Sequence, residues 1–411
     1  MRKAWLMCCA LGLSPAAHAQ ELSYSDALAQ AGAAGPTIEA SASRVEAARL
    51  ERRAAGRLPD PQLVLGYQNV PVDGPDAYRL DRDFMTMQSV GIMQDMPSGF
   101  ERRARRAIAD SETMRAEAAF DVAALEARFG AAQAWINLYY AERRVSVLER
   151  MAEEARARAA AARARLGGGA GSIDDAIAAE IDAARIEDRR ADLASALIGA
   201  RAQLRRWLAD GADQPLAEEA PVFAIDPAEL RAHLERHPEL ASFEAQEAVA
   251  AANLRLARAE RAPDWSWSLM YQRRAPQFSD MASVEVRIGL PLFQAWRQGP
   301  LIEARQADAR RVEAERTATE REYAAMLDRQ LAEYASTSSN LARARDTRLL
   351  LAQRRADAAQ GAFASGLAST DQLIVARRDA LEAELEMLDL QERLASLGAA
   401  LTLQYGGGGH E

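Results

Sequence analysis

Cysteine is all but absent. The chain holds two, Cys8 and Cys9, both inside an N-terminal stretch that reads as a secretory leader. Without mature cysteine there is no disulfide framework and no thiol chemistry. Lysine is rarer still: Lys3 is the only one, and it lies in the same leader. Acids outnumber bases, 60 against 51, for a formal charge of −9. Removing Arg2 and Lys3 with the leader takes the mature charge to about −11 (−9 − 2). An acidic, exported chain argues against nucleic acid as a partner. Aromatic residues make up only 6%. With Ala, Leu, Arg and Glu abundant instead, the composition points to long helices in coiled-coil-like contact. No mature stretch approaches 18 uncharged apolar residues, which excludes a transmembrane helix. A β-barrel stays open, because its signal is weak strand by strand. Catalytic patterns are missing too. There is no Ser/His/Asp set and no metal-ligand spacing, and the Gly167–Gly171 run leads into Ser172 rather than the Lys-Ser/Thr of a phosphate loop. No enzyme activity, resident metal or cofactor is expected.

What is present is order that repeats. Arg2 and Lys3, an apolar core from Ala4 to Leu13, and Ala17-His18-Ala19 make residues 1–19 a signal peptide with Gln20 as the mature start. Residues 20–208 form a first unit. Its helix over Leu22–Ala55 is interrupted near Gly35-Pro36. Strands follow at about 61–70 and 84–96, separated by a polar loop and closed by Pro97-Ser98-Gly99. Residues 101–166 contain no proline and the single glycine Gly130. As one helix this run is about 100 Å long. Val122, Leu125, Phe129, Ala132, Ile136 and Tyr139 mark a heptad stripe along it. A turn over 167–175 and a helix to 208 complete the unit. Residues 209–233, with Gly211, Pro215, Pro221 and several acids, read as a linker.

The order then recurs over 234–405. Strands are expected at about 265–274 and 283–292, a long helix at 301–365, a turn at 366–371 and a helix to 404, with a glycine tail at 406–411. Asp60 and Asp264 correspond at an offset of 204 (264 − 60), and so do Tyr67 and Tyr271 (271 − 67). The turns show the duplication best. Gly169-Ala170-Gly171-Ser172 and Gly366-Leu367-Ala368-Ser369 lie 197 residues apart (366 − 169). Glycine ends one helix at C′. Serine starts the next, with Gln372 completing a capping box in the second copy. Tandem copies of strand–strand–helical hairpin are an internal duplication.

Four strands of transmembrane length cannot close the smallest barrel, which takes about eight. Strands pooled between subunits can: two chains give eight, three give twelve. On the signal peptide, the duplicated unit, the two Gly-x-x-Ser turns and the Pro-Asp and Tyr-Gln strand openings, the chain resembles the TolC-like family of outer-membrane efflux proteins over residues 22–405. That resemblance implies a mostly α fold with a β-barrel. Three chains form a twelve-stranded barrel in outer-membrane lipid, continued by a long periplasmic α-helical barrel. It also implies a passive exit duct that docks to a periplasmic adaptor and an inner-membrane transporter, in the outer membrane of a Gram-negative bacterium. By position, Gly169, Ala170, Gly366 and Leu367 then fall at the adaptor contact. Asp174, Asp175 and Asp371 fall at the channel entrance and gate. Gln372 stands where many relatives carry an acid. These three acids also sit in the first turns of their helices, where an acid typically contributes 0.3–1 kcal/mol. The absence of a long C-terminal extension leans towards the heavy-metal cation-efflux branch.

Other clusters have plainer readings. Met85, Met87, Met93 and Met96 suit soft metals in chemistry but fit apolar filling better. His233 and His237 are expected as surface histidines. Trp265, Trp267 and Trp296 suit interfacial anchoring or packing. Arg102–Arg106 and Arg297 follow the strands, where they meet phosphates or water. Two other functions fit the same features: a channel for protein or peptide secretion, and a wholly periplasmic coiled-coil adaptor or rod.

Overall fold

The computed structural model describes residues 21–406. The expected signal peptide at 1–19 and most of the glycine tail lie outside the described residues. In chain order the elements are α1 (Tyr24–Ala33), α2 (Pro36–Ala54), β1 (Gln62–Gln68), β2 (Met87–Met96), α3 (Gly99–Gly167) and α4 (Ile173–Leu208). There follow α5 (Pro227–Ala232), α6 (Pro238–Ala259), β3 (Trp265–Arg273), β4 (Met281–Ile288), α7 (Gln298–Arg343), α8 (Leu350–Ala364) and α9 (Thr370–Tyr405). A strand pair and a helical hairpin thus occur twice, and most described residues are helical. Among the described residues no helix is long and apolar enough to cross a membrane. The compact units do not follow the repeats. One takes in the chain up to Gly35, Ala124–Ala232 and Leu327 onward; the other takes in Pro36–Ala123 and His233–Met326. Each is built from both copies.

The sheet unit contains all four strands, antiparallel in the order β1-β2-β3-β4. The two copies meet at its centre, where β2 pairs with β3 from Gln88↔Arg273 to Met96↔Trp265. Strand alternation sorts side chains onto two faces. Leu63, Ile92, Leu269 and Val284 form one cross-strand row, and Leu65, Val90 and Tyr271 the next. Trp265, Trp267, Val286 and Ile288 extend the same face. The opposite face carries Ser89, Asp95, Ser266, Ser268, Gln272, Ser283, Glu285 and Arg287. β4 stops at Ile288 rather than near 292, because Pro291 has no N–H for a ladder and Leu292 turns back to bond Leu290. Met87 and Met93 lie on the polar face and Met96 on the apolar one, while Met85 precedes β2. Among the described residues no group of three or more His, Cys, Asp or Glu side chains is placed to hold a metal ion.

His237 is not the surface histidine expected. It is buried beside the Tyr323 ring, with centroids 4.3 Å apart. There it caps α6, its Nδ1 accepting from the Glu239 backbone N–H at 3.2 Å. Burial lowers its pKa, which keeps the ring a neutral acceptor. Pro238 at the first helical position needs no N–H partner, so the cap falls to the residue before it.

The hairpin unit is cored by Trp135, which is fully buried against Leu22, Leu138 and Leu204. The Trp135 indole N–H donates to the Leu22 carbonyl at 3.0 Å and its ring stacks on Tyr139. Gly130, the one glycine inside α3, is where the Trp207 ring lies; a Cβ there would come within 2.2 Å of it. The segment after α4 is strapped to this core. Leu22 bridges Leu216, the Tyr139 hydroxyl donates to the Glu218 carbonyl at 2.8 Å, and the Tyr334 hydroxyl donates to the Phe223 carbonyl at 3.1 Å. The expected single helix at 301–365 is divided by a π-helical turn, Ala344–Leu349. Its Ala344 is buried and its Arg348 pairs with Glu386 of α9. A π turn carries one extra residue per turn, so it re-aims the face that α8 presents to α9.

Candidate functional site

Both hairpin turns belong to the hairpin unit and are built alike. α3 is followed by Gly169 in the left-handed region, φ 73°, and α8 by Gly366 at φ 75°. That conformation costs a residue with a Cβ about 1–2 kcal/mol. One residue on, the Ala170 N–H donates to the Arg165 carbonyl at 2.9 Å, and the Leu367 N–H donates to the Ala362 carbonyl at 2.8 Å. These are the six-to-one bonds of a Schellman stop. The next helix then starts on serine. Ser172 Oγ accepts from the Asp174 and Asp175 N–H groups at 3.0 and 3.4 Å. Ser369 Oγ accepts from the Gln372 N–H at 3.2 Å, and Gln372 Oε1 accepts from the Ser369 N–H at 3.0 Å. Gln372 therefore serves as the reciprocal half of a capping box. Leu367 is 85% exposed and Ile173 66%, so both turns present apolar side chains to the outside.

Packing thins towards the first turn. The Trp135 cluster gives way to Val147, Leu148, Met151, Ile186 and Leu381. Nearest the first turn it is reduced to Ala159, Ala162, Ala176 and Ala179. Ion pairs take over there. Arg158 Nε donates to Asp371 Oδ1 at 2.8 Å, and its Nη1 donates to Asp182 Oδ2 at 3.1 Å. Asp182 also accepts from Arg378 at 3.0 Å. Two acids and two guanidiniums thus alternate in a neutral chain that ties the first hairpin to the second, with Arg158 and Asp182 largely covered.

The expected entrance acids therefore part company. Asp371 is engaged by Arg158, whereas Asp174 and Asp175 are exposed on the first turn of α4. Gly169, Ala170, Gly366 and Leu367 all lie at the turns themselves. Sequence reasoning missed Arg158, Asp182 and Arg378. A signal for the first two was available. Arg158 and Asp182 each stand twelve residues from Ala170, and Arg355 and Asp379 each stand twelve from Leu367 (170 − 158, 182 − 170; 367 − 355, 379 − 367). Positions equidistant from a hairpin turn face each other, and Arg355 pairs with Asp379 at 2.6 Å just as Arg158 pairs with Asp182.

Comparison with known proteins bears on the class first. Vibrio cholerae VceC, an outer membrane protein, superposes with TM-score 0.74 at 19% identity, over 94% of this chain and 97% of its own. The Campylobacter jejuni CmeC outer membrane channel gives 0.78 at 12%, over 94% and 86%. The open state of the Neisseria gonorrhoeae MtrE outer membrane channel gives 0.69 at 17%, over 94% and 89%. No curated protein matches the chain. The fold is that of the TolC-like outer-membrane channels. The sequence of the second copy matches the outer membrane efflux protein family over residues 230–407.

Proposed function

We infer that three copies of this chain form a passive exit duct in the outer membrane of a Gram-negative bacterium, extending into the periplasm. The duct is the outer part of a tripartite efflux system for metal cations or drugs. The observation that carries this reading is the sheet. One face is apolar and open, with Leu65 68% and Val284 72% exposed, while the other face mixes the polar Ser89, Asp95, Glu285 and Arg287 with methionines. Neither β1 nor β4 has an outer neighbour among the described residues. Such a sheet in water would be an aggregation site. In lipid its edges must be paired. Twelve strands from three chains satisfy both demands, with the apolar face towards lipid and the polar face towards the lumen. A periplasmic rod leaves that apolar face unexplained.

In this reading the two turns of each chain are assigned to the periplasmic mouth of the duct. Gly169, Ala170, Gly366 and Leu367 contact the periplasmic adaptor, aided by exposed Leu367. Asp174, Asp175 and Asp371 line the entrance, which is held narrow by the Arg158 chain of ion pairs. In this reading the duct is passive and the inner-membrane transporter supplies the energy. The test is membrane fractionation followed by crosslinking of the detergent-extracted protein. A trimer in the outer-membrane fraction is expected; a soluble monomer overturns the reading.

A further inference from the structure

A groove of about 580 Å³ lies in the sheet unit between the start of α3 and the end of α6. Arg103, Arg255, Arg258 and Arg261 line it, with Phe100 and small residues such as Ala104 and Ala259 leaving it open. No acid is among its lining residues. Among the described residues none of these four guanidiniums has a carboxylate within 4.0 Å. Arg103 lies over the Phe100 ring at 4.8 Å, and Arg261 donates to the neutral Gln294 amide at 3.0 Å. Of the nearby acids, Glu101 pairs with Arg105 and Asp264 accepts from the Ser98 N–H at 2.8 Å, while exposed Glu260, next in sequence to the groove, is not part of its lining. A second groove in the same unit shows the ordinary arrangement. There Arg49 pairs with Glu117 at 2.7 Å and Arg52 with Asp110 at 2.5 Å. Four like charges round one groove repel, and an anion between them removes that repulsion.

The groove sits where β2 leaves the sheet and β3 enters it, beside the Met96↔Trp265 pair. Along this end the apolar sheet face runs through Trp265 and Trp267, and exposed Trp296 stacks with Phe293 just beyond β4. Apolar strand, tryptophan and arginine follow one another as hydrocarbon, interface and headgroup do in a bilayer leaflet. Guanidinium is the side chain that matches phosphate oxygens in pairs.

We propose that this groove binds the phosphate of an anionic glycerophospholipid, whose acyl chains lie along the apolar face of the sheet. The inference rests on the membrane-channel reading above. An anionic lipid is favoured over a zwitterionic one, because an ethanolamine or choline cation would return positive charge to a groove that already has four.

The test uses the full-length trimer extracted in detergent. Retained and titrated phosphatidylglycerol is counted by native mass spectrometry, with phosphatidylcholine and inorganic phosphate as comparison probes. Arg255→Gln with Arg258→Gln is expected to weaken phosphatidylglycerol binding about thirtyfold, from a factor of about five for each basic residue at a membrane surface. Arg49→Gln with Arg52→Gln, in the ion-paired groove, is expected to leave it unchanged. Equal phosphatidylglycerol retention by wild type and the Arg255/Arg258 variant overturns the proposal. So does binding that depends on these arginines for inorganic phosphate but not for the lipid. A wild-type chain recovered as a soluble monomer sinks the channel reading itself, whereas a membrane-bound trimer with unaltered lipid retention sinks only the groove.

Discussion

Around Trp135 and around the two turns, the same helices are held together by opposite means. At Trp135 large rings are buried, glycine is placed to admit another ring at Trp207, and backbone carbonyls take up the Trp135 indole and Tyr139 phenol protons. At the first turn the buried contacts are alanine on alanine, with only Leu373 and Ile374 larger beside the second, and the ion pairs that join the hairpins are Arg158 with Asp371, Arg378 with Asp182 and Arg377 with Glu154. Burial stabilises in proportion to apolar area, while an exposed or half-exposed ion pair contributes at most about 1 kcal/mol. One region is therefore fixed and the other is only latched. Regions that must change conformation are drawn from the low-stability end of a structure. The proposed duct, if its mouth opens at the turns, needs this distribution of packing.

The comparison breaks first at Trp135. Trp135→Ala is expected to cost about 3–5 kcal/mol, as large-to-small core substitutions do. The readout is a lowered thermal midpoint of the extracted protein and reduced trimer yield. Single-channel conductance of the molecules that do assemble is expected to stay unchanged, because the substitution lies far along α3 from Arg158. A midpoint within a degree or two of wild type would show that the aromatic cluster is not what fixes this region. Gly366→Ala comes next. It forces a Cβ into φ 75° and is expected to cost about 1–2 kcal/mol. Gly169→Ala, at φ 73°, should cost the same. Hydrogen exchange should find the loss confined to the last turn of α8 and the first of α9, or their counterparts in α3 and α4. A global loss of protection would contradict the division into fixed and latched regions.

Much of this was legible in the sequence, and for definite reasons. Gly169, Gly366, Ser172 and Ser369 act through local backbone chemistry, so their roles at the turns follow from a handful of neighbouring residues. The long helices follow from the absence of proline and the spacing of apolar residues. The ion pairs joining the hairpins were not legible, because Arg158 and Asp371 lie 213 residues apart and nothing local links them. His237 misled for a related reason. A histidine next to proline reads as surface punctuation until Tyr323, 86 residues on (323 − 237), closes over it. Arg158 and Asp182 are the middle case. They were there to be found by counting equal distances from the turn, and the same count in the second copy gives Arg355 and Asp379.

The smallest thermodynamic effects should carry the largest functional ones. Arg158→Ala removes both of its ion pairs yet leaves Asp182 with Arg378. With two pairs at up to about 1 kcal/mol each, it is expected to lower stability by no more than about 2 kcal/mol while raising single-channel conductance in planar bilayers. Arg158→Lys keeps the charge but loses the fork that serves Asp371 and Asp182 together, and should fall between. If Arg158→Ala instead lowers the thermal midpoint as far as Trp135→Ala does, the turns are no less fixed than the core and the latch is no latch.

Asp371 and Asp174 sharpen the last point, because they hold equivalent positions in the two copies (371 − 174 gives the 197-residue offset of the turns) and differ in what they touch. Asp371 is occupied by Arg158, so Asp371→Ala should act as Arg158→Ala does and raise conductance. Asp174 is exposed and, among the described residues, engages no other helix, so with the turns at the mouth as proposed its charge faces the passing ions. Asp174→Ala should leave conductance in monovalent salt close to wild type and weaken block by divalent cations. The double variant should show both effects, with little excess over their sum, since the two acids share no partner. Identical behaviour of the two single variants would mean that the Arg158–Asp371 pair does no work of its own, and that both acids act only through the field at the entrance.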